Sequence, residues 1–385
     1  MDEATREGPT LRILFPTTAP VRSFLAPAIQ VANMAQAFTE LGHEVTVFCG
    51  PDDAMTDDMD DMEVFGFTPD FRTHVPSRRV HRGQSYLHAV RVARMVVRDS
   101  YGLVYSRSLR SCLLPALRGV PTVYEAHTLG VVTGRQDRAV LERLLRAPGF
   151  RGIVAISTPL ADDLAKRCAV DPARILVAHD AVRAPDVAPT VRHAEQDRFT
   201  VGYTGSLFPG KGAENLLRIA ADCPWADFVI VGGPADQARA LALECDQRGL
   251  ENVRVLEPIG PSASRRLQQS CDVLVAPFSR RVESDSGDDI ARWTSPMKIF
   301  EYMVSGRPMV VSDLPVLREV LRPDVDALIV PPEDPDALIA ALTLLREDAS
   351  LGERLAASAS ERALAEHTWL VRADRILRRF VPEAA

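Results

Sequence analysis

The chain has 385 residues, more than one hydrophobic core usually organises, so two α/β domains of similar size are expected. With 46% hydrophobic and 25% charged residues it has the apolar content for sizeable cores and none of the bias of disordered or fibrous chains. The formal net charge of -7 speaks against general nucleic-acid binding.

In chain order, the first eleven residues are polar and acidic and lack the charged start and apolar stretch of a secretory signal. No later apolar run approaches the ~20 residues of a bilayer-spanning helix, so the expected location is cytoplasmic or peripheral at the inner membrane face. Residues 11–15 form a short apolar run ending at Pro16, and a helical pattern over 25–41 follows, stopped by Gly42. Val45, Val47 and Cys49 then alternate with polar residues. This strand, helix, strand opening implies a parallel sheet with right-handed crossovers.

The acidic run Asp52, Asp53, Asp57, Asp58, Asp60 and Asp61 has the Asp-x-Asp spacing a divalent cation accepts. Lying beside Met59 and Met62, and remote from the anion-binding motifs of the second half, it reads as a solvated loop. Between Arg72 and Arg110 there are nine arginines and one acid, Asp99. If 86–97 is helical, Arg91, Arg94 and Arg98 share a face, which is either simply solvated or turned to an anionic ligand or lipid surface.

Further strands are expected at 102–105, 122–124, 152–156 and 175–178, and a Pro- and Ala-rich loop follows. The expected organisation is an N-terminal domain 1–185, a linker 186–196 and a C-terminal domain 197–365. A second alternating series places strands at 200–203, 228–231, 253–256, 273–276, 309–311 and 327–330. Two doubly wound Rossmann-like domains fit this restart better than one barrel. The tail is read as helical over 335–345 and 351–380, with 366–385 packing back toward the N-terminal domain. Six cysteines without a C-x-x-C pair read as reduced core thiols.

Two segments carry candidate chemistry. The loop 202–212, which includes Gly205, Ser206 and Lys211, follows a strand and precedes a helix, where free N–H groups and the dipole favour anions. A diphosphate suits it; the alternative is a glycine-rich connection with a solvated lysine. It is neither a Walker A loop nor the Gly-x-Gly-x-x-Gly of nicotinamide enzymes. The second segment is Thr294-Ser295-Pro296-Met297-Lys298-Ile299-Phe300-Glu301. Ser295 is a plausible N-cap and Pro296 a favourable first helical residue. Glu301, about five residues in, suits either a salt bridge or the vicinal hydroxyls of a ribose.

Taken together, residues 205–212, 252–256, 272–277 and 295–308 resemble the donor half of the family 4 retaining glycosyltransferases. The tail resembles the family too, through 327–332, Asp336 and Trp369. The N-terminal half is similar more loosely, through Gln30, Asn33-Met34, Gly42-His43-Glu44-Val45, Tyr105-Ser106-Arg107, Tyr124-Glu125-Ala126-His127 and Ala155-Ile156-Ser157.

The resemblance implies a GT-B architecture with two facing Rossmann-like domains and the active site in the cleft between them. The co-substrate would be a UDP- or GDP-sugar, with no metal and no other cofactor, and the protein a monomer or homodimer. Lys211, with Gly205 and Ser206, would bind the diphosphate, and Glu301 the ribose. Thr294, Ser295, Pro296, Met297 and Lys298 would face phosphate and sugar, Pro258 and Ile259 the base, and His127 the transferred sugar. Arg91, Arg94 and Arg107 are acceptor candidates.

The sequence departs from the family pattern at Trp293, where the fuller motif has a glutamate, and at Ser206, where many relatives have an arginine. Residues 17–22 replace the usual Gly-Gly loop. A nucleotide-sugar epimerase of the same fold and a non-catalytic binding subunit are the alternatives.

Overall fold

The computed structural model describes residues 9–50, 58–75, 84–129, 134–185, 198–284 and 287–382. The chain divides into two compact units, Met1–Asp180 with Trp369–Ala385, and Ala181–Thr368. The linker expected at 186–196 lies outside the described residues.

The first unit runs β1 Arg12–Pro16, α1 Ala26–Glu40, β2 Glu44–Phe48, α2 Asp61–Phe65, β3 Arg72–His74, α3 Gln84–Asp99, β4 Leu103–Ser106 and α4 Leu109–Leu117. It continues with β5 Thr122–Ala126, α5 Arg135–Leu145, β6 Phe150–Ala155, α6 Thr158–Cys168 and β7 Ile175–Val177. The strands make one sheet in the order β3-β2-β1-β4-β5-β6-β7. Every pairing is parallel. β4 and β5 are buried at each position, which their sequences Leu-Val-Tyr-Ser and Thr-Val-Tyr-Glu-Ala permit because helices cover both faces of such a sheet. β3 was not legible in the sequence: it is a polar, exposed edge strand, and an edge held by one ladder needs no apolar pattern.

The second unit contains β8 Phe199–Gly205, α7 Ala213–Ile219, β9 Ala226–Gly232, α8 Ala235–Gln247, β10 Val253–Leu256, α9 Pro261–Ser270, β11 Val273–Ala276 and α10 Met297–Met303. It closes with β12 Met309–Ser312, β13 Leu328–Val330, α11 Pro335–Glu347 and α12 Ala349–Glu366. Its sheet is ordered β10-β9-β8-β11-β12-β13 and is also parallel throughout. Successive side chains of a strand point to opposite faces, and β11 feeds two cores in turn: Val273 and Val275 join one cluster, Leu274 and Ala276 the other.

The last helix, α13 Trp369–Phe380, belongs to the first unit. It buries Trp369, Arg372, Ala373, Ile376, Leu377 and Phe380, a stripe at helical spacing, and packs against α1. The tail is therefore not one helix over 351–380. It breaks at His367 and Thr368, where the His367 carbonyl accepts from the Val182 N–H at 2.9 Å instead of continuing the helix. No helix among the described residues is long and apolar enough to cross a membrane.

Candidate functional site

In each sheet the winding reverses beside the first strand, between β1 and β4 and between β8 and β11. Loops leaving the carboxyl ends diverge there, and ligands of open α/β sheets bind in the resulting crevice. In the second unit this point gathers the loop after β8 and the helix α10 after β11.

The β8 loop is built rather than loose. The fully buried Tyr203 donates its hydroxyl to the Ser206 carbonyl at 2.7 Å and to the Lys211 carbonyl at 3.2 Å, tying both ends to the sheet. Ser279 N–H reaches the Gly210 carbonyl and Glu283 N–H the Pro209 carbonyl, each at 3.0 Å. Gly205 has φ 138, and a Cβ there would stand 2.8 Å from Lys298 Cε, so only glycine lets the lysine pass.

Lys298 then lies 8% exposed under this loop. Its Nζ has no hydrogen-bond partner among the described residues and sits 3.8 Å from the Tyr203 ring centroid and 5.2 Å from that of Phe278. Burial, and then the charge of Lys211, hold its pKa well below the usual lysine range. Burial likewise brings Lys211 down to about 8. Two cations repel one another here, and neither has an ion pair among the described residues. An anion would relieve both.

Glu301, on α10, is hydrogen-bonded through Oε2 to Gln268 Nε2 at 3.3 Å. Burial raises its pKa. Gln268 also donates to Thr204 Oγ1 at 2.9 Å, and Thr204 N–H donates to Tyr302 Oη at 2.8 Å, so β8, α9 and α10 are locked at one spot. The fold thus brings Gly205, Lys211, Lys298 and Glu301 together. Sequence reasoning missed Gln268, which no local pattern marks.

Ser295 is not the N-cap and Pro296 not the first helical residue. Pro296 is the cap, extended at φ -76 and ψ 116, and α10 begins at Met297. The physical reason is the preceding turn, in which Trp293 and Thr294 N–H both bond to the Ile290 carbonyl at 2.9 Å and hold the chain out of the helix. Thr294 and Ser295 are buried, and Met297 is half-buried. Pro258 and Ile259 follow β10, at the sheet edge two strands from β8, both half-buried.

In the first unit, His127 directly follows β5 at its carboxyl end. Its Nε2 lies 2.8 Å from Glu125 Oε1, with the imidazole 18% exposed and the carboxylate fully buried. The same oxygen accepts from Gln30 Nε2 at 2.8 Å and from Arg372 Nη2 of α13 at 2.8 Å. Tyr105 donates its hydroxyl to Oε2. Burial opposes ionisation of Glu125, but the Arg372 guanidinium and the His127 hydrogen bond override it and hold the carboxyl below its ordinary range. Burial, then Arg107, lower the pKa of His127.

Arg107 joins this network through Gln30 Oε1 at 3.1 Å. Arg91 and Arg94 lie on α3, half-buried and exposed respectively, with no ion pair among the described residues.

Glu125, His127 and Asp180 place one ligand atom each within 4.8 Å of one another, as a metal could use. Glu125 Oε1 is already shared by three N–H groups, one from a guanidinium, so these residues fit an internal ionic network better than a cation site. In the acidic run, Asp60 caps α2 with Glu63 in a capping box and Asp61 pairs with Arg22; Asp52, Asp53 and Asp57 lie outside the described residues.

Two all-parallel, doubly wound units in one chain are the architecture of the GT-B fold. Residues 28–184 match the model of Glycosyltransferase Family 4, and residues 198–348 that of Glycosyl transferases group 1. The chain belongs to this group 1/family 4 of GT-B glycosyltransferases.

The chain is similar to a D-inositol 3-phosphate glycosyltransferase of Mycobacterium marinum, 27% identical over 280 residues, 67% of this chain and 58% of that protein. A protein of the same name from Mycobacterium avium is 29% identical over 273 residues, 64% of this chain and 60% of that one. The match therefore spans less than two thirds of those relatives' length. Among solved structures, Anabaena HepE in complex with UDP and glucose superposes with a TM-score of 0.70 at 16% identity, over 96% of this chain and 98% of that one. Sucrose-phosphate synthase from Thermosynechococcus elongatus gives 0.74 at 19%, over 97% of this chain and 100% of that one. At these identities the structures speak for the fold alone.

Proposed function

We propose that the protein is a retaining glycosyltransferase. It would move a hexose-type sugar from a UDP- or GDP-sugar to a small-molecule, envelope or natural-product acceptor, without a metal ion. The observation that carries this reading is the pair of lysines at the switch point of the second unit, Lys211 half-buried and Lys298 buried, neither with an ion pair among the described residues. A bound diphosphate supplies the missing charge, and the near Glu301 carboxylate accepts from the ribose hydroxyls. The relatives named above support a nucleotide-sugar substrate: one is solved with UDP and glucose, and the curated ones are named as glycosyltransferases.

In the transfer, the bond from the anomeric carbon to the diphosphate oxygen breaks while the acceptor hydroxyl oxygen bonds to that carbon from the same face. The hydroxyl proton passes to the departing phosphate oxygen. Negative charge grows on the diphosphate as this happens, so cations already fixed beside it lower the barrier. Lys298 takes the place of the arginine that Ser206 does not provide. In the first unit, His127 receives a hydroxyl of the sugar.

Thermal unfolding with a panel of nucleotides tests the assignment, because a ligand selective for the native state raises its apparent stability. UDP or GDP gives the largest rise, and Lys211→Ala and Glu301→Ala each diminish it. Equal rises in all three proteins remove the assignment. Product analysis with a nucleotide sugar separates chemistries: an epimerised donor identifies an epimerase, and binding without any turnover an accessory subunit.

A further inference from the structure

We infer that Arg372 is a positioning residue: acting through Glu125, it fixes His127 with its proton on Nε2, so that Nδ1 is presented as a hydrogen-bond acceptor toward a ligand hydroxyl. The inference rests on the proposed reading for the identity of that hydroxyl, but not for the state of the imidazole.

The argument begins with the carboxylate. Glu125 accepts from Gln30 of α1, from Tyr105 of β4 and from Arg372 of α13. Arg372 is itself oriented by the carbonyls of His179 at 2.8 Å and Ala178 at 3.2 Å. A guanidinium cannot give up its proton, and its charge keeps Glu125 ionised although no part of that side chain meets water. An ionised carboxylate only accepts. The 2.8 Å contact from His127 Nε2 to Glu125 Oε1 is then a bond in which Nε2 donates.

The charged and titratable groups facing this pair are Tyr105, Arg107, Asp180 and Arg372; the charge of Arg107 opposes a second proton on the ring, and Arg372, bonded at 2.8 Å to the same Oε1, sets a second cation beside it. The neutral ring therefore keeps its lone pair on Nδ1. For Nδ1 no hydrogen bond is found among the described residues, and the imidazole is the one partly exposed member of the pair. An acceptor nitrogen on a neutral ring matches a sugar or polyol hydroxyl and offers nothing to a phosphate oxygen. This selects between the two ends of a nucleotide sugar.

The full-length protein labelled with 15N-histidine, with His127 assigned by its loss in His127→Gln, gives a direct reading by long-range proton–nitrogen correlation. Wild type shows protonated Nε2 and unprotonated Nδ1 near neutral pH. Arg372→Lys retains the charge and this tautomer. Arg372→Met removes a cation from the pair, so an extra proton binds more readily and the titration midpoint of His127 rises by about one pH unit or more.

A wild-type ring protonated on Nδ1 overturns the inference, and this measurement stands even if Arg372→Met does not fold. So does an unchanged midpoint in a folded Arg372→Met. Failure of the proposed function reads out elsewhere, as no thermal shift with UDP or GDP and no transfer, with the wild-type spectrum as stated.

Discussion

The Lys298 ammonium faces the ring of Tyr203 at 3.8 Å from its centroid, and no carboxylate hydrogen-bonds to it among the described residues. A cation over an aromatic face regains only part of what it loses on leaving water, so this site is poised for an anion at the expense of the empty protein.

That trade can be measured. Replacing Lys298 by Met keeps the volume and removes an amine whose charged form burial disfavours. The ligand-free Lys298→Met protein melts a few degrees higher than wild type, and its thermal shift with UDP or GDP is lost. A lower melting point without ligand, or an undiminished shift, contradicts the role given to Lys298.

The lowered pKa of Lys211 makes stability and binding depend on pH. Its folded value of about 8 lies below the 10.5 of free lysine, so between these the unfolded chain holds more protons and stability rises with pH; below about 8 that contribution is gone. An anion raises the folded pKa again, and the complex takes up protons at pH 8.5. Calorimetry of nucleotide binding in two buffers of different ionisation enthalpy measures this uptake, and a value of zero rejects it.

Glu301 is assigned to the pentose and not to the phosphates. Glu301→Ala therefore weakens UDP or GDP by about tenfold or more, since a hydrogen bond to a charged group contributes about 1.5–3 kcal/mol. Binding of inorganic pyrophosphate stays as in wild type. Parallel losses for both ligands would show a disturbed site in place of a lost ribose contact.

Gly205→Ala combines a left-handed backbone at φ 138 with a Cβ 2.8 Å from Lys298 Cε. Strain of this kind costs on the order of 1–3 kcal/mol, and the displaced lysine loses its place. Urea unfolding together with nucleotide titration should show both a destabilised fold and weaker binding; a variant that behaves as wild type in both disproves the close approach.

Much of the architecture was legible because parallel strands buried on both faces are written as short apolar runs at regular spacing, from Val201 to Val311. Lys211 was legible because it lies in the loop directly after β8, and Lys298 and Glu301 because they stand in the short run 294–301 that opens a helix and resembles the family motif. What escaped depends on tertiary partners. β3 is held by its neighbour and not by its composition, the cap of α10 by a turn at Ile290, and the break after Glu366 by a backbone bond to Val182. Gln268 and Glu301 meet across 33 residues, and Arg372 and Glu125 across 247. No window along the chain contains such pairs.

The first unit is thus stitched from both ends of the polypeptide, with Arg372 as a late counter-charge for Glu125 at its centre. During synthesis at about 5–20 residues per second the intervening unit takes roughly 10–40 s to emerge, and for that time Glu125 has Gln30, Tyr105 and His127 but lacks its guanidinium partner. A fragment cut after Asp180 would inherit the same defect permanently. Adding back a peptide that covers residues 369–382 would repair it, which makes α13 a folding partner supplied in cis.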